Sequence, residues 1–531
     1  MIPLHVHSNN TFLNGTIPLE KLINRCVEYG IPRIALTDTN SMHGVIEFSK
    51  LAIEKNIKPI IGARIDSSAD GKEYVILLAK NNKGYSELCK IITSRKLNDD
   101  FLLKNLFRQK LENLFILTPS VDLLKDIEPA NNFFVELIAS KKEKRNDRNR
   151  YQFAVEKGFE FVVTNPVYFL NKNDYLLHKT LSAIRLKTSI DNLKSEDLAD
   201  DEFYFKNPET IEQEWKNLPN ELKNSELIAK KCNVDLKLSE YKFPVYSTPS
   251  ETSADTQLWN ESFKGLAKRY QLVTEAAKKR LEMELSVISE MGFSNYFLIV
   301  WDIVNEAKRR GMMTIGRGSA ANSLTAFCLE ITQIDPLEHN LYFERFLNKA
   351  RSSPPDFDID FSWKERDEII KYIFDKYGYE NVAMISTTVT FRARSAFREV
   401  AKAFGFTNEE ISRFSRKIPW TDAANLPNLA KLFPESKGLN FNQEPWKTIV
   451  NIASKIARFP RHLSIHPGGI VITPTKITDY VALEYAKNKG LGLIVTQPDM
   501  YSIEDLGLIK IDILSQRSLG VLRDTMESIK N

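Results

Sequence analysis

Within roughly the first 225 residues, six short apolar runs recur between amphipathic stretches: RIALTD (33–38), KPIIGARI (58–65), EYVILLA (73–79), LFILTP (114–119), FFVELIA (133–139) and FEFVVTNP (159–166). Each run is short and bounded by polar residues, so each is predicted to be a buried strand. PLEKLINRCVEYG (18–30) and GVIEFSKLAIEK (44–55) lie between them with helical spacing. Strand and helix in alternation admit few architectures. A mostly parallel sheet or barrel follows, with its working residues at the C-terminal ends of the strands. His5, His7, Asp38 and the region of Asn165 fall at such ends.

The pattern changes after YKFPVYSTPSETSAD (241–255), a polar connector with few helix formers. TEAAKKRLEMELSVISEMG (274–292) and YFLIVWDIVNEAKRRG (296–311) then read as amphipathic helices ending at Gly292 and Gly311. The 531 residues, 43% of them hydrophobic, provide for two to four packed domains. No apolar run approaches membrane-spanning length and MIPLHVHSNN is no signal peptide, so a cytoplasmic protein without a membrane partner is expected. Cys26, Cys89, Cys232 and Cys328 have no metal-like spacing and read as ordinary thiols. A net charge of +4 says little about partners, but residues 388–464 carry thirteen Lys/Arg against six Asp/Glu. That excess suits either a phosphate backbone or a solvated helical surface.

PPDFDIDF (354–361) places Asp356, Asp358 and Asp360 at every second position, hence on one face of a strand. Three ionised carboxylates about 6.5 to 7 Å apart repel unless a cation lies among them. A hard divalent ion such as Mg²⁺ answers that need, and a solvated edge strand is the plainer alternative. A calcium loop is disfavoured because Phe361 stands where such a loop needs Gly. Upstream, IGRGSAANSLTAF (315–327) is a small-residue turn opening a helix, a natural phosphate cradle. Downstream, GLIKIDILSQRSLG (507–520) alternates as a strand, with Lys510 on the face of Asp512. Together these supply the parts of two-metal phosphoryl chemistry, although Lys510 and Asp512 alone also fit a structural ion pair. RHLSIHPGGIVIT (461–473) adds Arg461, His462 and His466 just before a strand.

YFLIVWDIVNEAKRRG, GRGSAANSL, DPLEHNLYFERFLN, PPDFDIDF, RHLSIHPGGIVI and GLIKIDIL occur in the order that resembles the alpha subunits of bacterial DNA polymerase III, the C-family polymerases. The resemblance runs essentially to residue 531. It implies an α/β multidomain chain: a PHP-type (β/α) barrel over 1–225, then a polymerase-beta-like nucleotidyltransferase palm (226–387 and 468–531) interrupted by a helical thumb (388–467). By position it implies catalytic, metal-binding Asp356, Asp358 and Asp512, with Asp360 outside that set, and an active-site Lys510. Arg317, Gly318 and Ser319 become the triphosphate-binding turn, and Arg392, Arg394, Arg461 and His462 the expected DNA contacts. The implied reaction joins a primer 3′-hydroxyl to the α-phosphate of a deoxynucleoside triphosphate with two Mg²⁺ ions. Primed template DNA, a sliding clamp and other replisome subunits are the implied partners.

The sequence departs from the family in two places. HVHS keeps His5 and His7, and LTDTN keeps Asp38, but Thr39 replaces a His, Arg64 a Glu, and Pro166 and Tyr168 an Asp and a His. Loss of ligands and gain of a fixed cation argue for a degenerate PHP site, so no metal and no nuclease activity are expected there. TDTN also resembles the shorter, error-prone or accessory members. The family's fingers, clamp-binding region and oligonucleotide-binding domain have no counterpart in this sequence, so a fragment or one half of a split polymerase, with weak or no activity alone, is expected. Two other classes stay in view: a PHP phosphoesterase or exonuclease, and a non-catalytic DNA-binding scaffold.

Overall fold

The computed structural model of the chain describes residues 1–67, 73–238, 240–248, 252–350, 355–486 and 493–530. Pro354 of the acidic stretch and residues 249–251 of the expected connector lie outside that set. The chain forms two compact units, one of Met1–Leu236, Thr387–Ser464 and Val481–Tyr485, the other of Lys237–Ser386, Ile465–Tyr480 and Ala486–Asn531.

In the first unit all six apolar runs form strands: β1 (Arg33–Leu36), β2 (Lys58–Asp66), β3 (Tyr74–Ala79), β4 (Leu114–Thr118), β5 (Phe133–Ile138) and β6 (Glu160–Thr164). They lie in sequence order in one sheet. β1–β2, β4–β5 and β5–β6 pair in parallel, while β3 runs against both neighbours. Only residues 67–73 join β2 to β3, too few for the crossover of a dozen or more residues that parallel pairing needs. The N-terminal segment bridges the two edges of the sheet. Ala35 N–H donates to Pro3 O (3.0 Å) and Thr37 N–H to Val6 O (2.8 Å) on one side; His7 N–H donates to Val167 O (2.8 Å) and Val167 N–H to His5 O (2.9 Å) on the other. His5 and His7 are thereby carried into the interior.

Helix Leu19–Glu28 buries Leu19, Leu22, Ile23 and Cys26, the i, i+3, i+4, i+7 stripe that its sequence spells. Helices Ala393–Ala403 and Trp446–Lys455, from the segment expected to be a thumb, share a core with Leu177 and Leu181 of helix Tyr175–Leu186. A short strand, β11 (Leu483–Tyr485), belongs to this unit as well.

The second unit is built on β7 (Thr314–Arg317), β8 (Asp358–Ser362), β12 (Ile494–Asp499), β13 (Lys510–Gln516) and the parts of β9 (Val382–Thr390) up to Ser386 and of β10 (Pro460–Ile472) from Ile465, ordered β12-β9-β10-β13-β8-β7. Phe357, Ile359, Phe361, Ile511 and Ile513 alternate onto the apolar face and pack with Phe297 and Phe346. The Phe357 ring meets Phe297 and Phe346 edge-on at 5.0 and 5.1 Å between centroids. The aspartates are left on the opposite face. Helices Glu275–Glu290 and Ser294–Arg309 end before Gly292 and Gly311, both at positive φ, as their sequences predict. No single helix among the described residues is long and apolar enough to cross a membrane.

Candidate active site

Three adjacent strands of the second unit bring the sequence-distant charges together. β13 runs parallel to β8 with Asp512 opposite Asp358, and β7 runs antiparallel to β8 with Arg317 also opposite Asp358. Tyr296, buried at the head of this pair, ties it: its hydroxyl donates to Lys510 O (3.0 Å) and accepts from Phe357 N–H (3.2 Å). Asp512 N–H adds a bond to Phe357 O (3.1 Å). Lys510 Nζ then lies 3.1 Å from Asp512 Oδ2. Arg317 reaches Asp358 Oδ2 at 3.9 Å and Asp360 Oδ2 at 3.6 Å.

This arrangement is electrostatically unbalanced. Burial, then the facing Asp512, push the Asp358 carboxyl above the usual range, with Arg317 opposing them. Burial disfavours the Lys510 ammonium, yet Asp512 and Asp356 hold it above its ordinary value. Asp512 Oδ1 is a buried acceptor with no hydrogen-bond donor. His466 Nδ1 stands 3.5 Å away but accepts the Gly469 N–H (2.6 Å), so it has no proton to offer. An acceptor left bare in this way costs about 1–3 kcal/mol unless a cation or donor arrives. Among the described residues no three His, Cys, Asp or Glu side chains form a finished metal shell. The facing pair with its open oxygen does fit a small cation, which would relieve the repulsion at Asp358.

Asp356 precedes β8 and is exposed, so of the three alternating acids only Asp358 and Asp360 lie within the strand, while Asp356 still acts electrostatically on Lys510 and Asp358. Asp360 is buried against Arg317 and Gln516.

The small-residue turn differs from its expectation. Gly318–Asn322 is a 3₁₀ turn, and the α-helix after it spans only Leu324–Cys328. Its N-terminal amides are already taken: Glu284, fully buried, accepts from Leu324 N–H (3.0 Å) and Thr325 N–H (2.9 Å) and is paired with Arg280 at 2.8 Å. The helix end is therefore no phosphate cradle; the open part of the turn is Gly318 and Ser319. Gly318 has φ +74°, and a Cβ placed there would sit 3.6 Å from Asp358 Oδ2. The positive φ favours glycine, whereas the 3.6 Å separation is an ordinary contact that places the turn beside Asp358.

Arg461 and His462 lie on β10 itself rather than before it, in the first unit together with Arg392 and Arg394. Arg461 pairs with Glu399 at 2.9 Å. Arg394 donates to Ile418 O (2.7 Å), whereas Arg392 is exposed over the Trp420 ring.

The retained PHP residues meet in the first unit, each satisfied by protein. His5 Nδ1 bonds Glu136 Oε1 (2.8 Å) and its Nε2 faces His7 Nε2 (3.1 Å). Asp38 accepts from Ser8 N–H, Ser8 Oγ and Thr11 Oγ1, all at 2.7 Å. Burial pushes Asp38 up to about 6 against those bonds. Glu136 is also fully buried, but His5, Thr164 and Tyr74 hold it below the usual range. Burial, reinforced by His5, drives His7 well below its ordinary value. Among the departures, Arg64 donates to Thr39 Oγ1 (3.4 Å) and lies over Tyr74, and Tyr168 stacks on His7 at 4.1 Å. The group borders a cavity of about 480 Å³. Glu136, Tyr74, Glu284 and Tyr296 were not singled out by sequence. The one signal for the two acids is a lone Glu within an apolar run or on a buried helix face.

Two family models match the chain. The PHP domain model matches residues 3–124, and the bacterial DNA polymerase III alpha NTPase domain model matches residues 256–515. The error-prone DNA polymerase of Symbiobacterium thermophilum is 33% identical, covering 99% of this chain and 52% of its own length. DNA polymerase III subunit alpha of Bacillus subtilis is 33% identical over 100% of this chain and 49% of its own, and that of Pseudomonas aeruginosa 32% over 99% and 48%. The chain spans about half the length of the curated relatives it matches. It belongs to the bacterial DNA polymerase III alpha family.

Proposed function

We propose that the chain carries the nucleotidyl-transfer site of a DNA-directed DNA polymerase of the III alpha type, acting in replication or damage bypass in the cytoplasm. The observation that carries this reading is the parallel register that sets Asp358 against Asp512 with Lys510 beside them. In domain terms, 1–225 is the PHP domain, 226–387 and 468–531 the palm, and 388–467 the thumb.

DNA polymerases generally use divalent ions, and we assign two Mg²⁺ to Asp358 and Asp512 with Asp356 contributing from the edge. Bound there, they supply activation of the primer 3′-hydroxyl and neutralisation of the triphosphate. The chain's own groups do the rest. Gly318 and Ser319 admit the phosphates next to Asp358, and Arg317 adds a half-exposed positive charge. Lys510 stands where charge develops on the leaving group. The bond from primer 3′-oxygen to α-phosphorus forms, the α–β phosphoanhydride bond breaks, the hydroxyl proton passes to solvent and pyrophosphate leaves. Arg392, Arg394, Arg461 and His462 serve primed template DNA; a sliding clamp and other replisome subunits are the partners of the complete assembly.

A PHP phosphoesterase or exonuclease is the weaker reading, because Asp38 and Glu136 have their acceptor oxygens already occupied. The test is Mg²⁺-dependent binding of a deoxynucleoside triphosphate to the full chain with primed DNA present. Binding that needs the ion and disappears in Asp358→Asn, with folding intact, is expected. Equal binding by that variant overturns the assignment.

A further inference from the structure

We infer that the first unit carries a track for single-stranded DNA, running from an aromatic platform at Trp420 to a basic groove bordered by Lys187 and Lys402. The inference rests on the polymerase reading above and deepens it by naming the form of DNA that these residues hold.

Trp420 is 86% exposed, more than any other large apolar side chain among the described residues. Exposing an indole forgoes about 1.5–3 kcal/mol of burial, so its position calls for a partner. The Arg392 guanidinium lies over its ring, 5.8 Å from the centroid. Further basic residues are tied to the segment that carries Arg392. Arg458 N–H donates to Phe391 O (3.2 Å), next to Arg392, and the Arg461 guanidinium lies 5.9 Å from the Phe391 ring centroid. Arg461 and His462 then line a groove of about 810 Å³ with Arg185, Lys187 and Lys402 on its walls. Glu399 is the one carboxylate lining it, and Arg461 and Lys402 hold it at 2.9 and 3.9 Å. Along the track Asp422 is likewise held by Arg458, at 2.8 Å. The acids are spent within the protein, which leaves a net positive channel.

A cationic groove that follows a backbone, joined to an exposed aromatic face, is the combination that holds unpaired strands: phosphates meet the cations, and a base, having a π-face whatever its identity, stacks on the ring. Duplex DNA has its bases already stacked and offers Trp420 nothing to cover. The cation over this indole is Arg392, which leaves the other face of the ring to a base and places a positive charge where a phosphate can meet it.

The test titrates the full 531-residue chain against a labelled thymidine oligonucleotide and, separately, a blunt duplex. Trp420→Ala is expected to weaken oligonucleotide binding about fivefold or more and to shift duplex binding less than about twofold, while Trp420→Phe retains most of the affinity. Lys187→Ala is expected to weaken the oligonucleotide and flatten its salt dependence by about 0.7 in the log–log slope. Unchanged oligonucleotide binding by Trp420→Ala overturns the inference. So does equal loss on both forms of DNA, which marks the surface as a duplex contact. In either case the polymerase reading stands or falls separately, on metal-dependent nucleotide binding at Asp358.

Discussion

Two clusters of buried charge, one in each unit, have opposite states of satisfaction. In the first unit the carboxylates of Glu136 and Asp38 and the ring of His5 are met by protein groups, with Tyr74 and Tyr168 packed beside the histidines. In the second, Asp358 and Asp512 face each other across neighbouring strands and one Asp512 oxygen has no donor. A site whose acceptors are filled by its own side chains is finished as structure. One that keeps an acceptor open and like charges adjacent stays poised for a ligand that supplies the missing positive charge. The two clusters thus differ in what each leaves open to a ligand.

The largest expected effect breaks the open cluster. Asp512→Asn should lower metal-dependent nucleotide affinity by about a hundredfold or more, measured by calorimetry, without lowering the melting temperature. Retained affinity would show that the open oxygen is incidental. The mirror experiment strikes the closed cluster: Glu136→Ala strands His5, Thr164 and Tyr74 in the interior and should cost about 3–5 kcal/mol of stability by denaturant unfolding. Nucleotide binding should be unchanged; a catalytic role for the first unit predicts the reverse pattern.

A smaller effect follows from pH. His178 donates from Nδ1 to Asn14 O (2.9 Å) and accepts the Ala199 N–H at Nε2 (3.0 Å), so it is neutral and locked in one tautomer. Burial lowers it to about 4 from 6.5. Because the folded value is depressed, its stability contribution is complete above about 6.5 and is lost as pH falls toward 4, at up to about 1.4 kcal/mol per pH unit. The wild type should therefore lose melting temperature between pH 7 and 5 more steeply than His178→Gln. Parallel slopes would remove His178 from the account.

Much of this was legible in the sequence. The six strands of the first unit, the two helices after the connector and the pairing of Lys510 with Asp512 follow from period-two and period-3.6 patterns, which are local properties. What the sequence does not carry is register. The opposition of Asp358 and Asp512 joins residues far apart in the chain, and nothing in either strand states which residue faces which. Glu136 and Glu284 escaped for the same reason: their partners, His5 and the amides of Leu324 and Thr325, come from distant elements. The composition of the small-residue turn suits anions, but a buried carboxylate already fills the helix end behind it. Period-two spacing places Asp356 with its neighbours, whereas the strand begins only at Asp358.

The contrast between the clusters is tested most directly by Mn²⁺ binding to the full chain, followed by electron paramagnetic resonance, for the wild type, Asp512→Asn and Glu136→Gln. The account predicts that Asp512→Asn loses the bound ion and Glu136→Gln keeps it. Loss in Glu136→Gln with retention in Asp512→Asn would place the working metal in the first unit and contradict the account.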